Sequence, residues 1–334
     1  MNPILPTVML ALALEGRDVA TALAERLQAA YIDLAAAEAI AGDLRERAAA
    51  GEFDRLAGED LAQALNARIR AFTSDPHLGI RYTAEPFSER ADAEPSPEER
   101  ERMRHFAAAQ NFGFEKVERL QGNVGFMELN GFVDPRFGGD TAVAAMAFLA
   151  NADALIIDLR YNSGGVPGIG LLLSSYLFEQ PVHLHSIEWR EAGGTRVEQF
   201  WTQAFVPGQR LSQQPLFILT SDRTISAAES FAYSLQALGR AKIVGETTAG
   251  GGHAGAEVRI AEHYAAFIPT GRAVNPITKT NWEGKGVHPD VAVDEQDAAA
   301  TAHRLALETL RERASDPMSK AKYQDVLDEL FKGK

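Results

Sequence analysis

One serine, Ser226, lies where an apolar stretch of the chain gives way to an amphipathic one. The residues before it, PLFILT at 215–220, predict a buried strand, and the residues after it, ESFAYSLQAL, predict a helix. A serine at such a junction fits two interpretations. It is an N-cap that forms a capping box with Glu229, or it is a nucleophile held at the positive end of a helix dipole.

A glycine pair, Gly164 and Gly165, follows a second apolar stretch, LIIDL, within the segment RYNSGG. Glycine lets backbone approach a bound carbonyl closely, so the N–H groups of this pair are candidates for an oxyanion hole. The N–H of Ala227, directly after Ser226, is the candidate for the second donor. The alternative is that the two glycines only form a turn into the next helix.

A serine nucleophile requires a base, and His77 in the turn segment DPHLG suits that role. Glu283, in NWEGKGVHPDV, is the candidate carboxylate that would orient the base. Taken singly, each of these residues also fits an ordinary position on the surface. The sequence has no cysteine and no HExxH spacing, so we predict neither a metal site nor a cofactor.

The predicted elements that must position these residues change character along the chain. Apolar residues at helical spacing indicate helices over 18–73, and a charged, proline-containing stretch at 83–104 indicates a linker. From about residue 123 strands and helices alternate, which predicts an α/β fold with parallel strands. In such a sheet the functional loops lie at the carboxyl ends of strands, where both the Ser226 and the glycine segments fall.

Three regions follow from this pattern. We predict an N-terminal helical domain at 1–80, a linker or helical connection at 81–122, and an α/β domain with C-terminal helices at 123–334. Within the last region, one helix is predicted at 138–151, with Asp140 or Thr141 as its cap.

Composition narrows the classes of partner. The 334 residues carry a net charge of −13, which argues against nucleic acid or an anionic membrane as the main partner. No run approaches the roughly 20 apolar residues of a membrane span. The first residues, MNPILPTVMLALALEGRD, fit either the apolar part of a signal peptide or a buried first helix, so the cellular compartment stays open. Homo-oligomerisation also stays open.

Three segments taken together resemble one family. IIDLRYNSGG, TSDRTISAAESFAYSLQALGRAKIVGETTAGG and WEGKGVHPDVAV occur in this order, and they are similar to the signature segments of the S41 tail-specific peptidases. The helical N-terminal region followed by SDPHLGIRY resembles the branch of the retinoid-binding-protein modules and the tricorn protease. The resemblance implies a crotonase-like spiral of ββα units, related to the Clp protease core. A difference from the family is that we expect no PDZ domain, because only about forty residues separate Tyr82 from Asn123.

The resemblance assigns roles position by position. Ser226 matches the family nucleophile, the Gly164–Gly165 loop and the Ala227 amide match the oxyanion region, and His77 and Glu283 match the histidine-type base and its relay. Two departures are visible in the sequence. Gly251 stands where the processing peptidases have a catalytic lysine, and Pro76 precedes His77 where the tricorn protease has a serine.

The resemblance implies a serine-type peptidase, a hydrolase acting on a peptide or protein substrate. The alternative is a non-catalytic carrier of a hydrophobic ligand such as a retinoid or fatty acid, because the related modules are regarded as carriers. An esterase that uses the same nucleophile is a further alternative. The joint presence of Ser226, His77 and Glu283 favours the enzyme.

Overall fold

The computed structural model describes residues 4–87 and 96–331, with side chains described from residue 16 onwards. The described residues divide into two compact units. The first comprises those within Met1–Pro95, Ile187–Glu198 and His253–Ala273. The second comprises those within Ser96–Ser186, Gln199–Gly252 and Val274–Lys334.

The helices and strands follow one another along both units. The helices are α1 (Ile4–Ala30), α2 (Leu34–Ala49), α3 (Gly58–Arg70), α4 (Pro97–Ala109), α5 (Pro135–Leu149), α6 (Pro167–Tyr176), α7 (Ala227–Ala237), α8 (Glu295–Arg313) and α9 (Pro317–Phe331), with a short 3₁₀ turn at Asn111–Gly113. The strands are β1 (Gly79–Tyr82), β2 (Phe114–Leu120), β3 (Val124–Leu129), β4 (Ala154–Asp158), β5 (His183–Glu191), β6 (Gly194–Trp201), β7 (Leu216–Thr220), β8 (Lys242–Gly245), β9 (His253–Ala261), β10 (Tyr264–Val274) and β11 (Val291–Ala292).

The first unit is built on the three N-terminal helices. Leucine and isoleucine side chains of α1, α2 and α3 are buried together with Tyr264 and Ile268 of β10. The hydroxyl of Tyr264 accepts a hydrogen bond of 2.6 Å from the N–H of Gly58, where α3 begins. Strand β1 pairs antiparallel with β10, with Gly79 opposite Phe267. This pairing fixes the short loop before β1, which carries His77.

The sheet that contains β1 has five strands. Its order is β1-β10-β5-β6, and β9 also pairs with β10. Strands β5 and β6, which are consecutive in the chain, are neighbours in this sheet.

The second unit contains a six-stranded sheet in the order β11-β8-β7-β4-β3-β2. Its strands are parallel except β2, which pairs antiparallel with β3. Every residue of β4 and β7 is buried, as expected for central strands of a parallel sheet covered on both faces. Helix α8 and helix α9 contribute Leu307 and Tyr323 to the core over these strands. The predicted α/β fold with parallel strands is thus confirmed.

One predicted element was wrong in detail, and one strand was not predicted. Helix α5 begins at Pro135 rather than near residue 138, and its cap is Asp134, not Asp140 or Thr141. The Asp134 carboxylate accepts a hydrogen bond of 2.8 Å from the N–H of Arg136, and proline at the first helical position favours the earlier start. Strand β2 was not predicted, because its sequence FEKVERL is rich in charged residues. Within the described parts of the chain, no helix is long and apolar enough to cross a membrane.

Candidate active site

Ser226 occupies the junction between β7 and α7 in a rare backbone conformation. Its φ is 63° and its ψ is −120°, whereas an N-cap residue ordinarily has an extended backbone with negative φ. A non-glycine residue in such a region costs about 1–3 kcal/mol and persists only where its surroundings enforce it. A sharp, strained strand-to-helix turn is also how many hydrolases expose a nucleophilic serine.

Hydrogen bonds to the loop after β4 enforce this turn. The hydroxyl of Thr224 donates to the carbonyl of Leu159 at 2.8 Å, and the N–H of Ile225 donates to the carbonyl of Asn162 at 3.2 Å. On the other side, the N–H of Ala249 donates to the carbonyl of Thr224 at 3.1 Å. The two loops that the sequence placed at the carboxyl ends of strands are therefore tied together directly before Ser226.

The glycine pair lies against the Ser226 turn. A Cβ on Gly164 would come within 2.8 Å of the Ser226 Cβ and 3.2 Å of the Ala227 nitrogen, so only glycine fits there. A Cβ on Gly165 would come within 2.1 Å of the Phe132 carbonyl oxygen. Both glycines have positive φ, 83° and 128°. The glycines thus permit a close backbone approach and do more than close a turn.

The two glycine N–H groups differ in their hydrogen bonding. The N–H of Gly164 donates to the side-chain oxygen of Asn162 at 2.9 Å, and Asn162 is itself buried and donates to the carbonyl of Leu129. Among the described residues, the N–H of Gly165 has no partner, and this glycine is exposed. The open N–H favours Gly165 over Gly164 as a donor to a bound oxyanion.

The carboxylate of Glu229 organises the start of α7. It is fully buried and accepts a hydrogen bond of 2.8 Å from the N–H of Ser226, which is the glutamate half of a capping box. It also accepts from the hydroxyl of Thr248 at 2.5 Å and from the N–H groups of Gly250 and Gly251 at 2.7 and 2.8 Å. Burial raises the pKa of Glu229, and these four donors oppose the rise.

The side chain of Glu283 is hydrogen-bonded to the same glycine-rich segment, residues 250–252. Its Oε2 accepts a hydrogen bond of 2.6 Å from the N–H of Gly252. The neighbouring indole of Trp282 donates to the carbonyl of Gly251 at 2.8 Å. Gly251 therefore accepts a hydrogen bond from Trp282 and donates one to Glu229.

His77 lies in the first unit, in a loop shaped by Asp75. The N–H of His77 donates to one Asp75 carboxylate oxygen at 2.9 Å. The imidazole is 14% exposed and packs on the ring of Phe267, with 5.6 Å between ring centroids. Its Nδ1 is buried, lies 3.9 Å from Asp75, and makes no hydrogen bond to the described residues. Burial lowers the pKa of His77, although Asp75 opposes the shift, so the ring is neutral near pH 7.

A second histidine of the first unit is paired with the same carboxylate. The Asp75 Oδ2 lies 2.7 Å from Nδ1 of His253 and accepts a hydrogen bond of 3.0 Å from the hydroxyl of Tyr31. Burial alone would raise the pKa of Asp75, but the hydrogen bond and charge of His253, together with the hydrogen bonds from His77 and Tyr31, lower the pKa below its usual value. Asp75 is therefore an anion that orients one imidazole and the backbone of another histidine.

The signature segments identified in the sequence are matched by a family model. The model for "Peptidase family S41" matches residues 123–293, more than half of the chain. The chain belongs to peptidase family S41. Ser226, Ala227, the glycine pair and Glu283 all fall inside the matched region, whereas His77 falls before it.

The chain is also similar to individual known proteins. A carboxyl-terminal-processing protease from Picosynechococcus sp. is 30% identical over 145 residues, which are 42% of this chain and 32% of that protein. The aligned part thus spans about a third of the relative's length. Among solved structures, a candidate peptidase from Parabacteroides merdae has a TM-score of 0.65 at 17% identity, covering 90% of this chain and 99% of the other. A lipoprotein from Streptococcus agalactiae has a TM-score of 0.54 at 13% identity, covering 88% and 96%. These two structures show the fold alone.

Three residues that organise the loops described above were not singled out in the sequence. Asn162 holds Gly164 through the local side-chain turn that asparagine forms two residues before its partner, and this spacing could have been recognised. Asp75 precedes His77 by two residues, and the same kind of turn could have indicated it. His253 had no local signal, because its partner Asp75 lies 178 residues away in the sequence.

Proposed function

We propose that the chain is a serine-type peptidase that hydrolyses peptide bonds with Ser226 as the nucleophile. The observation that carries this proposal is the conformation of Ser226 at the start of α7, because an ordinary helix cap does not require positive φ. Membership of family S41 supports the same reaction class. The substrate would be a peptide or protein.

The oxyanion of the tetrahedral intermediate would be held by backbone donors. Ala227 is the first residue of α7, so its N–H points out of the helix start, where the dipole favours negative charge. We assign the second donor to the N–H of Gly165, because Gly164 already donates to Asn162. Losing one such donor typically reduces the rate by a factor of about 10²–10³.

We assign the general base to His77. A base must be neutral to accept a proton, and burial lowers the pKa of His77. In the proposed reaction His77 takes the proton of the Ser226 hydroxyl as its oxygen attacks the carbonyl carbon. His77 then gives that proton to the leaving amine, and water hydrolyses the acyl-enzyme by the same steps. Glu283 is proposed as the orienting carboxylate, and Asp75 fixes the backbone of the base.

The finer points of the fold belong to the same proposal. We infer a crotonase-like spiral and the histidine-type, tricorn-like branch, which the glycine at position 251 supports because a Ser–Lys pair would need a lysine there. We also propose that no PDZ domain lies within 81–122. Helix α4 and strand β2 already occupy residues 97–109 and 114–120 of that connection.

A fluorophosphonate probe followed by peptide mapping tests the proposal. We expect modification of Ser226 in the native protein, a loss of at least about 10²-fold in labelling rate for His77→Ala, and no change for His105→Ala. His105 is a matched control because it lies on the exposed side of α4, 70% accessible. Labelling that survives in His77→Ala but is lost in His253→Ala would transfer the base to His253.

Absence of labelling in folded protein would contradict the peptidase. The carrier alternative then predicts tight binding of a fluorescent fatty acid or retinoid that is unaffected by Ser226→Ala. A titration with such a ligand separates the two functions, because a peptidase site has no requirement for that affinity.

A further inference from the structure

The loop that carries His77 is fixed by its neighbours in the first unit. The guanidinium of Arg70 in α3 donates hydrogen bonds to the carbonyl oxygens of Asp75 and Leu78, the second of them at 2.8 Å. The hydroxyl of Thr73 accepts a hydrogen bond of 3.1 Å from the N–H of Asp75. The loop is therefore held on both sides of His77, directly before β1 begins.

The two carboxylate oxygens of Asp75 differ in the number of hydrogen bonds that they accept. Oδ2 has two partners, the hydroxyl of Tyr31 at 3.0 Å and Nδ1 of His253 at 2.7 Å. Oδ1 accepts one hydrogen bond, 2.9 Å long, from the N–H of His77. A carboxylate oxygen has room for two donors. Among the described residues, Oδ1 therefore keeps one acceptor position open, although the side chain is only 1% exposed.

The ring of His77 lacks a partner on the side that faces this oxygen. Its Nδ1 is buried, lies 3.9 Å from Oδ1 of Asp75, and has no hydrogen-bond partner among the described residues. The other side of the ring packs on Phe267. A buried polar nitrogen without a partner is uncommon and unfavourable. An unpartnered nitrogen and an open acceptor position thus lie next to each other.

The distance between Nδ1 and Oδ1 is longer than a hydrogen bond but within reach of one. A movement of the imidazole by about 1 Å brings the two atoms to about 2.8 Å, the length of a charge-assisted hydrogen bond. Hydrogen bonds of catalytic groups are often long in the free enzyme and shorten when substrate binds. At 3.9 Å the two groups also attract each other as soon as the ring carries a charge.

This contact determines which nitrogen of His77 is able to act as a base. A proton on Nδ1 that points at Oδ1 leaves Nε2 unprotonated, as a general base requires. When Nε2 takes the proton of Ser226, the ring becomes a cation beside a carboxylate. Burial raises the pKa of Asp75, but its hydrogen bonds hold that pKa below the usual value, so the carboxylate is an anion at neutral pH.

Other ionisable groups of the first unit surround the pair. His253 lies at the other carboxylate oxygen, and when protonated its charge opposes protonation of His77. Tyr31 is neutral, because burial raises its pKa. Arg70 binds the loop through carbonyl oxygens, and the residue of β10 in contact with the ring is uncharged. Asp75 is thus the group of this unit whose charge favours a protonated His77.

We propose that Asp75 is a positioning residue of the reaction. Its Oδ1 accepts a hydrogen bond from Nδ1 of His77 and balances the charge of that ring while the ring holds the proton of Ser226. The inference rests on the proposed function, in which His77 is the base. It gives the contact with Nδ1 to Asp75 rather than to Glu283. No proton passes to Asp75, which remains an anion throughout.

The kinetics of Asp75→Asn test this role. Asparagine keeps a side-chain oxygen for the N–H of His77 but removes the charge. We expect kcat for peptide hydrolysis to fall by at least about 10²-fold, with KM little changed. The acid limb of the pH profile of kcat/KM should move to lower pH, because loss of the anion lowers the pKa of His77. Asp33→Asn is the matched control: asparagine also caps a helix such as α2, so rate and profile should stay unchanged.

Nitrogen-15 NMR of histidine-labelled protein tests the contact itself. The shifts of the two ring nitrogens show which of them carries the proton, and His77→Ala identifies the signals of His77. In the native protein, above the pKa of the ring, we expect the proton on Nδ1. Asp75→Asn should lose this preference. Because the native protein alone reveals the tautomer, the measurement does not depend on how well a variant folds.

The outcomes separate this inference from the proposed function. A proton on Nε2 in the native protein, or an Asp75→Asn enzyme with native kcat and pH profile, overturns the role of Asp75 and leaves the peptidase standing. A tautomer that is lost in Glu283→Gln and kept in Asp75→Asn also overturns it and returns the contact to Glu283. If no peptide is cleaved and Ser226 is not labelled by the fluorophosphonate, the proposed function falls, and the catalytic role of Asp75 falls with it.

Discussion

The carboxylate of Glu229 accepts a hydrogen bond of 2.8 Å from the backbone N–H of Ser226. The same carboxylate receives the N–H groups of Gly250 and Gly251. One buried side chain therefore holds both the strained serine and the glycine run that leads to the N–H bound by Glu283.

Replacing Glu229 should destabilise the protein severely. Glu229→Ala leaves four donors without an acceptor, three of them buried, and each buried donor costs about 1–3 kcal/mol, so we expect a loss of at least about 3 kcal/mol in the free energy of unfolding. Urea denaturation measures it. Glu308→Ala is the control, because Glu308 forms only a partly exposed pair with Arg304, and it should change stability by less than about 1 kcal/mol. Equal effects in the two variants would contradict the role given to Glu229.

Two substitutions of Ser226 should abolish activity equally but differ in their effect on stability. Ser226→Ala and Ser226→Gly both remove the nucleophile, so both should reduce peptide hydrolysis to background. Only glycine relieves the strain of φ 63° and ψ −120°, so Ser226→Gly should be more stable than Ser226→Ala by about 1 kcal/mol. Thermal denaturation of the two variants measures the difference. A glycine variant less stable than the alanine variant would show that the conformation carries no strain.

The sequence predicts those parts of the site whose hydrogen-bond partners lie close together along the chain, and it misses those whose partners lie far apart along the chain. Strands β4 and β7 were predicted because their runs are almost entirely apolar, and the capping box was offered because Ser226 and Glu229 are three residues apart. The positive φ of Ser226 was not predictable, since it depends on Thr224 bonding to Leu159, which lies 65 residues away. The donors to Glu229 from Thr248 to Gly251 likewise lie 19–22 residues along the chain.

Gly165→Ala should impair catalysis. Its Cβ would meet the carbonyl oxygen of Phe132 at 2.1 Å, so the loop must shift and the proposed oxyanion donor moves with it. We expect kcat to fall by at least about 10²-fold. Gly139→Ala in α5 is the control, because its nearest neighbour would be Pro135 at 4.0 Å. Steady-state kinetics on the same peptide compare them, and an active Gly165→Ala enzyme would remove Gly165 from the oxyanion hole.

His185 should make the protein less stable in mild acid. Its pKa is about 4 in the folded protein against about 6.5 in an unfolded chain, so below pH 6.5 the unfolded state binds the extra proton. The free energy of unfolding should therefore be unaffected by His185 above pH 6.5 and fall by about 3 kcal/mol as pH drops towards 4. Urea denaturation at several pH values measures this slope. The His185→Gln variant should lose this fall in stability with pH, whereas His105→Gln should keep it. Identical slopes in the native protein and both variants would contradict the role given to His185.

The first unit is assembled from three separate segments of the chain. It can therefore be complete only after the last segment has been synthesised. Tyr264 and Ile268 are part of the core formed by α1, α2 and α3, yet they are made nearly two hundred residues after α3 ends. During synthesis the apolar faces of those helices lack the strand that covers them, and closing so long a loop is slow. Until β10 has been synthesised, helices α1 to α3 therefore expose the apolar surface that Tyr264 and Ile268 later cover, and such exposed surface favours aggregation.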